Sequence, residues 1–117
     1  MPKNLGQPPY LISEHATIAD ALVSITENKR GSIIVTGEKM LLLGVVSDGD
    51  IRRALVKGAT TLTPISKILN ANVVSVSSED TNASGHARGL LVERPEINLI
   101  PVLDRNNCVI DIITRIS

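Results

Sequence analysis

Short apolar runs alternate along the chain with stretches in which apolar residues recur at helical spacing. Residues 10–12 form the first of these runs and predict a strand. The next stretch predicts an amphipathic helix, because its apolar residues lie at i, i+3, i+4 and i+7. These residues are Ile18, Ala21, Leu22 and Ile25. Thr17 precedes them as a candidate N-cap with Asp20 three residues later, so we expect the helix to begin after Thr17.

Two strongly apolar runs follow this helix. Residues 32–36 are rich in β-branched side chains and predict a strand, residues 41–46 predict another, and residues 37–40 form a tight connection. Both runs are apolar at successive positions, as expected where both faces of a sheet are covered. The second run ends abruptly at Ser47, and apolar residues at i, i+3 and i+4 then predict a helix that Gly58 terminates.

The rest of the chain repeats this alternation less clearly. Pro64 opens a short helical turn, and a helix interrupted by two glycines is predicted over residues 82–93. Strands are predicted over residues 73–76, 97–103 and 108–114. Pro101 lies inside one of these strands, and a proline there predicts an edge or bulge position because proline has no N–H to donate.

The two halves of the chain share one pattern at an offset of 67 residues. Residues 32–50 lie over residues 99–117 without a gap, so that apolar residues meet apolar residues and turn meets turn. The hydroxyl residue Ser47 meets Thr114. Two such units, each with open apolar faces, are expected to pack about a pseudo-two-fold axis, with two clefts between them.

The same comparison gives the expected domain organisation. Thr17 meets Thr81 upstream, with about three extra residues before the paired strands of the second half. We therefore expect one domain over the whole chain. Its first repeat is residues 10–58, its linker is residues 59–63 and its second repeat is residues 64–117.

Composition narrows the range of functions. The 117 residues carry 12 basic and 12 acidic side chains, so the chain has no net positive charge that would attract nucleic acid or an anionic membrane. Because it has no Phe or Trp, stacking of bases on aromatic side chains is not expected either. No apolar run approaches 18 residues and no signal core is present, so we expect a cytoplasmic protein without a membrane partner. Cys108 is the single cysteine, which excludes an intrachain disulfide, and its strand setting predicts a small buried hydrophobe.

Residues typical of metal sites and catalysis are sparse. His15 and His86 have no acidic or cysteine neighbour at metal-ligand spacing, so no metal site is predicted. The chain has no G-x-S-x-G nucleophile elbow, no Walker A sequence and no G-x-G-x-x-G. We therefore predict no catalytic residue in this chain.

The corner at residues 47–50, Ser-Asp-Gly-Asp, is the main candidate for binding chemistry. A strand runs there directly into the first turn of a helix, whose unpaired N–H groups and partial positive charge favour an anion such as phosphate. The alternative is structural, because Ser47 with Asp50 three residues later also forms a capping box that binds nothing. Asp48 is either a solvated turn residue or a ligand to Mg²⁺ accompanying a nucleotide.

Residues 42–55, LLGVVSDGDIRRAL, lie in a doubled β-α-β-β-α unit and resemble a cystathionine β-synthase (CBS) domain pair, also called a Bateman module. The resemblance extends from about Tyr10 to Ser117. It implies an α+β fold of tandem CBS repeats packed with pseudo-two-fold symmetry. The sequence of residues 42–55 is similar to that of the CBS pairs that accompany sugar-phosphate nucleotidyltransferases and sugar-phosphate isomerases. Of these two classes we favour the nucleotidyltransferase type.

The resemblance implies regulation rather than catalysis. Such pairs often bind AMP, ADP, ATP or another adenosine-containing ligand between the repeats, and no cofactor is required. It assigns the ribose hydroxyls to Asp50, and the ribose or phosphate to Ser47. Arg52 and Arg53 either reach phosphates or form a solvated helix face. The remaining implied ligand-binding residues are the second-half hydroxyl Thr114 and the aliphatic residues that would sandwich adenine, Ile34, Val35 and Pro101.

The second half departs from the family pattern. Asp111 stands where Gly44 stands, and Ser117 stands where Asp50 stands. A serine lacks charge and is a weaker ribose partner, so we expect one competent cleft and one degenerate cleft. The helix that should follow Ser117 is absent, and we expect the chain to be a piece of a longer protein whose catalytic domain follows.

Two functions remain open at this point. The first is a nucleotide-sensing module that controls the attached catalytic domain and dimerises through its helices. The alternative is a ligand-free dimerisation scaffold of the same enzyme, which Ser117 and the glycines of the second helix favour.

Overall fold

Two three-stranded sheets, one from each half of the chain, form the centre of the fold. The structure is a computed structural model and describes residues 9–115. In chain order the described elements are β1 (Leu11–Ser13), α1 (Ile18–Asn28), β2 (Ser32–Thr36), β3 (Leu42–Ser47), α2 (Asp48–Val56), β4 (Val76–Ser77), α3 (Ala83–Glu93), β5 (Leu99–Leu103) and β6 (Val109–Thr114). Two single 3₁₀ turns, Glu38–Met40 and Ile65–Lys67, lie between them.

The two sheets have the same topology and the same register. β1 pairs parallel with β2, which pairs antiparallel with β3, and β4, β5 and β6 repeat this order. Ser32 pairs with Ser47, and the residues 67 positions further on, Leu99 and Thr114, pair in the same way. The register shift that follows Val35 recurs in β5 at the same offset. The predicted α+β fold with two repeats is therefore confirmed, and the two repeats share even this irregularity.

The two turns that precede β3 and β6 meet each other. Leu41 and Cys108 are equivalent residues of the two halves, and they form an antiparallel bridge with each other. Such self-pairing of equivalent positions places the pseudo-two-fold axis between them. Met40 and Asn107 precede them with φ of 65° and 63°, so both turns use the left-handed conformation. Cys108 is half-buried at this axis rather than buried as the strand pattern predicted.

Alternate side chains of the central strands serve two different cores. Ile33 and Val35 of β2 point to the helices of the first half, while Ile34 between them packs against the second half. The first-half core also includes Ile18, Ala21, Ile25, Val46, Ile51 and Ile65. The core between the halves consists of Tyr10, Ile34, Leu99, Leu103, Val109 and Ile112. Strands apolar at every position are therefore needed, because each sheet is covered on both faces.

The predicted start of α1 in the first half is confirmed, whereas α3 in the second half begins later than predicted. The Asp20 N–H donates to Thr17 Oγ1 at 3.3 Å and the Thr17 N–H donates to Asp20 Oδ2 at 2.9 Å, so α1 begins with the predicted capping box. In α3 the N-cap is Asn82, without a side-chain cap hydrogen bond. The expectation that Thr81 would stand where Thr17 stands is therefore wrong by one residue.

Pro101 lies in the central strand of its sheet, not at an edge as predicted, although a register shift follows directly after Val102. Its equivalent in the first half, Ile34, donates its N–H to the Tyr10 carbonyl at 2.9 Å. Pro101 has no N–H for that bond, and β4 begins only at Val76 instead of residue 73. The proline is tolerated in a central strand because its neighbour on that side is short.

Asn28 joins the end of α1 to the strands below it, and we expect its loss to destabilise the fold. The side chain is 3% exposed, and its Nδ2 donates to the carbonyls of Pro9 at 2.9 Å and Ser32 at 3.0 Å, while its Oδ1 accepts from the Arg30 N–H. Asn28→Ala leaves these buried groups unpaired, which costs about 2 kcal/mol of unfolding free energy. Urea denaturation measures this, with Glu27→Ala as the exposed control. Equal midpoints for the two variants would contradict the role given to Asn28.

Candidate functional site

The corner between β3 and α2 is built by a reciprocal pair of hydrogen bonds. The Asp50 N–H donates to Ser47 Oγ at 3.1 Å, and the Ser47 N–H donates to Asp50 Oδ2 at 2.9 Å. The other carboxylate oxygen of Asp50 accepts from Arg53 Nη2 at 2.7 Å. The predicted capping box is therefore present, and it fixes the Asp50 side chain in one orientation.

A pocket of about 430 Å³ lies beside Asp50, along one face of α2. Volumes of this size are typical of small-molecule sites. The residues that line it on α2 are Asp50, Arg53 and Ala54, with Lys57 just after the helix. The opposite wall comes from Ala59, Thr63, Lys67 and Ile68. The lining thus combines apolar side chains with charged ones.

The wall opposite α2 is held in place by the core and backbone of the first half. Ile65 is completely buried among the residues of α1, β2 and α2. Its N–H donates to the Ala16 carbonyl at 2.9 Å, and the Ile18 N–H donates to the Thr63 carbonyl at 2.9 Å. The segment that follows α2 therefore returns across the first half and closes the pocket.

Positive charge dominates the pocket. Arg53, Lys57 and Lys67 contribute three cations, and Asp50 is the acidic residue among the lining side chains, so the lining carries a net charge of +2. Arg53 is already paired with Asp50. Within residues 9–115 neither lysine forms a salt bridge or a side-chain hydrogen bond, so both ammonium groups are free to meet an anion.

The structure separates the other residues predicted for the site in the first half. Ser47 is half-buried and caps α2 without lining the pocket. Arg52 does not line this pocket but a neighbouring depression of about 210 Å³, which it shares with Arg53, Val56 and Lys57. Ile34, Val35 and Pro101 are fully buried and present no surface to a ligand in this arrangement of the halves.

Thr114 lines a second pocket of about 390 Å³, between Tyr10 of the first half and α3 of the second. Arg88 Nη1 donates there to the Thr114 carbonyl at 2.8 Å, and Asp111 lies beside it. Ser117, the predicted weak ribose partner, lies outside the described residues. The pocket beside Asp50 and the pocket beside Thr114 therefore differ in their lining.

Gly44 and Asp111 occupy equivalent strand positions with different surroundings. A β-carbon added at Gly44 would lie 2.6 Å from the Asn70 carbonyl oxygen, so the returning segment crosses β3 where only a glycine leaves room. Asp111 instead accepts the Ile112 N–H and lines the second pocket. The two halves therefore differ at this position because the segment containing Asn70 crosses β3 at Gly44.

Lys57, Thr63 and Lys67 are site residues that the sequence did not single out. Lys57 lies seven residues after Asp50, a spacing that puts both on one helix face and could have identified it. Lys67 and Thr63 had no such signal, because their position depends on how the segment after α2 folds back.

The described residues contain no group of three or more His, Cys, Asp or Glu side chains that would hold a metal ion. His86 pairs instead with Asp80 at the start of α3. The Asn82 N–H donates to Asp80 at 2.8 Å, and this bond, with that from His86, lowers the pKa of the Asp80 carboxyl. Across residues 9–115, no helix is long and apolar enough to cross a membrane.

Comparison with known proteins identifies the architecture. Residues 5–57 match the family model described as the CBS domain. The CBS domains of a transcriptional regulator from Streptococcus pneumoniae superpose with a TM-score of 0.75, covering 98% of this chain and 89% of that one at 17% identity. The chain has the fold of a CBS domain pair.

Two further proteins resemble this chain. The CBS domain protein PAE2072 from Pyrobaculum aerophilum, solved in complex with AMP, gives a TM-score of 0.69 at 24% identity and covers 92% of this chain and 80% of its own. In sequence, the chain is 31% identical to arabinose 5-phosphate isomerase GutQ of Salmonella typhi over 90 residues, and these cover 77% of this chain and 27% of that protein. The chain spans less than a third of the length of the curated relatives it matches.

Proposed function

We propose that this CBS pair is a regulatory module that binds an adenosine nucleotide in the pocket beside Asp50. The observation that carries the proposal is the position of that carboxylate, fixed by the capping box at one end of a pocket with a net positive lining. A carboxylate accepts hydrogen bonds from two vicinal ribose hydroxyls, while the cations meet phosphate. The AMP complex of the similar PAE2072 pair supports this ligand class.

Regulation follows from where the pocket lies. One wall belongs to α2, and the other belongs to the segment that leads into the second half. A ligand that contacts both walls binds more tightly when this segment is docked on the first half than when it is displaced, and the equilibrium between the two arrangements shifts by that difference in affinity. Contact of adenine with Ile34, Val35 or Pro101 requires the two halves to move apart, because these side chains are buried.

We propose that the module controls a sugar-phosphate enzyme to which it is attached in a longer cytoplasmic protein. The sequence resemblance favours a nucleotidyltransferase domain downstream. The match to an arabinose 5-phosphate isomerase favours the other class that residues 42–55 resemble. Both enzymes handle sugar phosphates, and the proposed role of the pair is the same in either.

Asp50→Ala tests the proposed ribose contact. We expect it to weaken binding of AMP or ATP by about 1–3 kcal/mol, because a charge-assisted hydrogen-bond partner is lost. Calorimetric titration of the full chain measures the change. The matched control is Asp20→Ala, which removes the same capping interaction from α1 but lies outside the pocket. If both variants bind nucleotide as tightly as the unaltered chain, Asp50 does not hold the ribose.

The second candidate function is a ligand-free dimerisation scaffold. It is favoured by the hydrogen bonds that already occupy both Asp50 oxygens, and by Val56 on α2, whose exposed fraction is 87%. Sedimentation of the full chain distinguishes the two functions when it is combined with the nucleotide titration. A stable dimer that binds no adenosine compound is the scaffold, whereas nucleotide binding that Asp50→Ala weakens is the sensor.

A further inference from the structure

We propose that the pocket beside Asp50 selects nucleoside di- and triphosphates over monophosphates. The inference rests on the proposed function, because it takes the ribose to be held at Asp50. It adds the charge of the ligand, which the resemblance to CBS pairs left open among AMP, ADP and ATP. The observation behind it is the order in which the cations follow Asp50 along the pocket.

The lining side chains of α2 form a row that begins at Asp50. Arg53 lies three residues after Asp50 and Lys57 lies seven residues after it, which corresponds to about 4.5 Å and about 10 Å along a helix axis. Lys67 reaches the same pocket from the opposite wall. The positive charge therefore extends well beyond the position of the ribose partner.

The geometry of a nucleotide matches this row. The 5′ carbon of ribose points away from the 2′ and 3′ hydroxyls, so phosphates attached there extend away from a carboxylate that holds those hydroxyls. The first phosphate then lies near Arg53, and only the second and third reach the level of Lys57. Arg53 is already paired with Asp50, which leaves the two lysines as the unpaired cations of the pocket within the described residues.

Charge balance points the same way. The lining carries +2, and a monophosphate with up to two negative charges would lie at the Arg53 end, where Asp50 offsets part of the field. A triphosphate distributes more negative charge along the whole row. The lysines therefore contribute mainly to binding of the longer phosphate chain, and they are specificity-determining residues rather than general contributors to affinity.

Titrations of the full chain with adenosine, AMP, ADP and ATP test this proposal. We expect affinity to rise with each phosphate, and the double variant Lys57→Gln/Lys67→Gln to lose about tenfold in ATP affinity but less than about twofold in AMP affinity, as expected for two exposed charge pairs. Lys39→Gln is the control, since it removes the same charge from an exposed turn outside the pocket. Circular dichroism confirms that the variants remain folded.

The outcomes separate this proposal from the proposed function. If AMP binds as tightly as ATP, or the lysine variants weaken both equally, the polyphosphate preference is wrong although the nucleotide module stands. If inorganic tripolyphosphate binds as tightly as ATP, the charge row is supported and the adenosine assignment is wrong. If none of these compounds binds, both proposals are wrong.

Discussion

Ile65→Ala is expected to destabilise the chain by about 2–5 kcal/mol, the range for truncating a fully buried isoleucine. Ile65 has no exposed surface and packs in the core of the first half, although it follows the helix that ends that half in sequence. The cavity left by alanine would lie under the segment that forms the second wall of the pocket. We therefore expect nucleotide affinity to fall together with stability. Urea denaturation and calorimetric titration measure the two effects.

Leu62→Ala is the matched control for Ile65→Ala. Leu62 lies three residues earlier in the same segment, but its exposed fraction is 77%. Its truncation is expected to change the unfolding free energy by less than about 0.5 kcal/mol, as is usual for a surface substitution. If the two variants unfold at the same urea concentration, the segment is not anchored through Ile65.

Gly44→Ala is expected to have a comparably large effect for a different reason. Its β-carbon would lie 2.6 Å from the Asn70 carbonyl oxygen and 2.7 Å from Leu69 Cδ1. Backbone cannot rotate away as a long side chain can, so the returning segment must shift. That shift breaks the two reciprocal hydrogen bonds between Val45 and Asn70, each 2.9 Å long. Overpacking and the lost bonds together cost about 3 kcal/mol of unfolding free energy.

The repeat itself supplies the control for Gly44→Ala. Asp111 is the equivalent residue of the second half, and its carboxylate accepts the neighbouring Ile112 N–H. Asp111→Ala is expected to cost less than about 1 kcal/mol, because it removes one local bond and causes no overlap. Thermal unfolding of both variants checks the asymmetry. Equal losses of stability would mean that the segment does not cross β3 as closely as described.

The repeat was predictable because it depends on local order. Apolar class, turn chemistry and hydroxyl positions recur at an offset of 67 residues, and the register and the strand irregularity follow the same offset. The second half was harder to predict. Pro101 removes one N–H from the central strand, and the partner strand begins only at Val76. That effect acts between strands, so it was not visible from the run of apolar residues at 73–76.

The candidate site also has one part that could be predicted from the sequence and one part that could not. The capping box of Ser47 and Asp50 could be predicted, because it joins residues three apart at a helix start. The three aliphatic residues expected against adenine, Ile34, Val35 and Pro101, are fully buried in the structure. Ile34 lies in the core between the two halves. Strand alternation shows that a residue faces a covered side, but it does not show whether a ligand or the other half of the chain covers it.

By itself, the sequence determined the order of the elements, the doubling and the position of the acidic residue at the start of α2, because spacing within a helix or strand fixes which side chains share a face. Only the tertiary structure decided what stands opposite that residue. Lys67 and Thr63 reach the pocket because the segment after α2 folds back, with Ile65 in the core and Asn70 against Gly44. Burial and backbone pairing between distant residues hold that segment, and neither leaves a periodic pattern in the sequence.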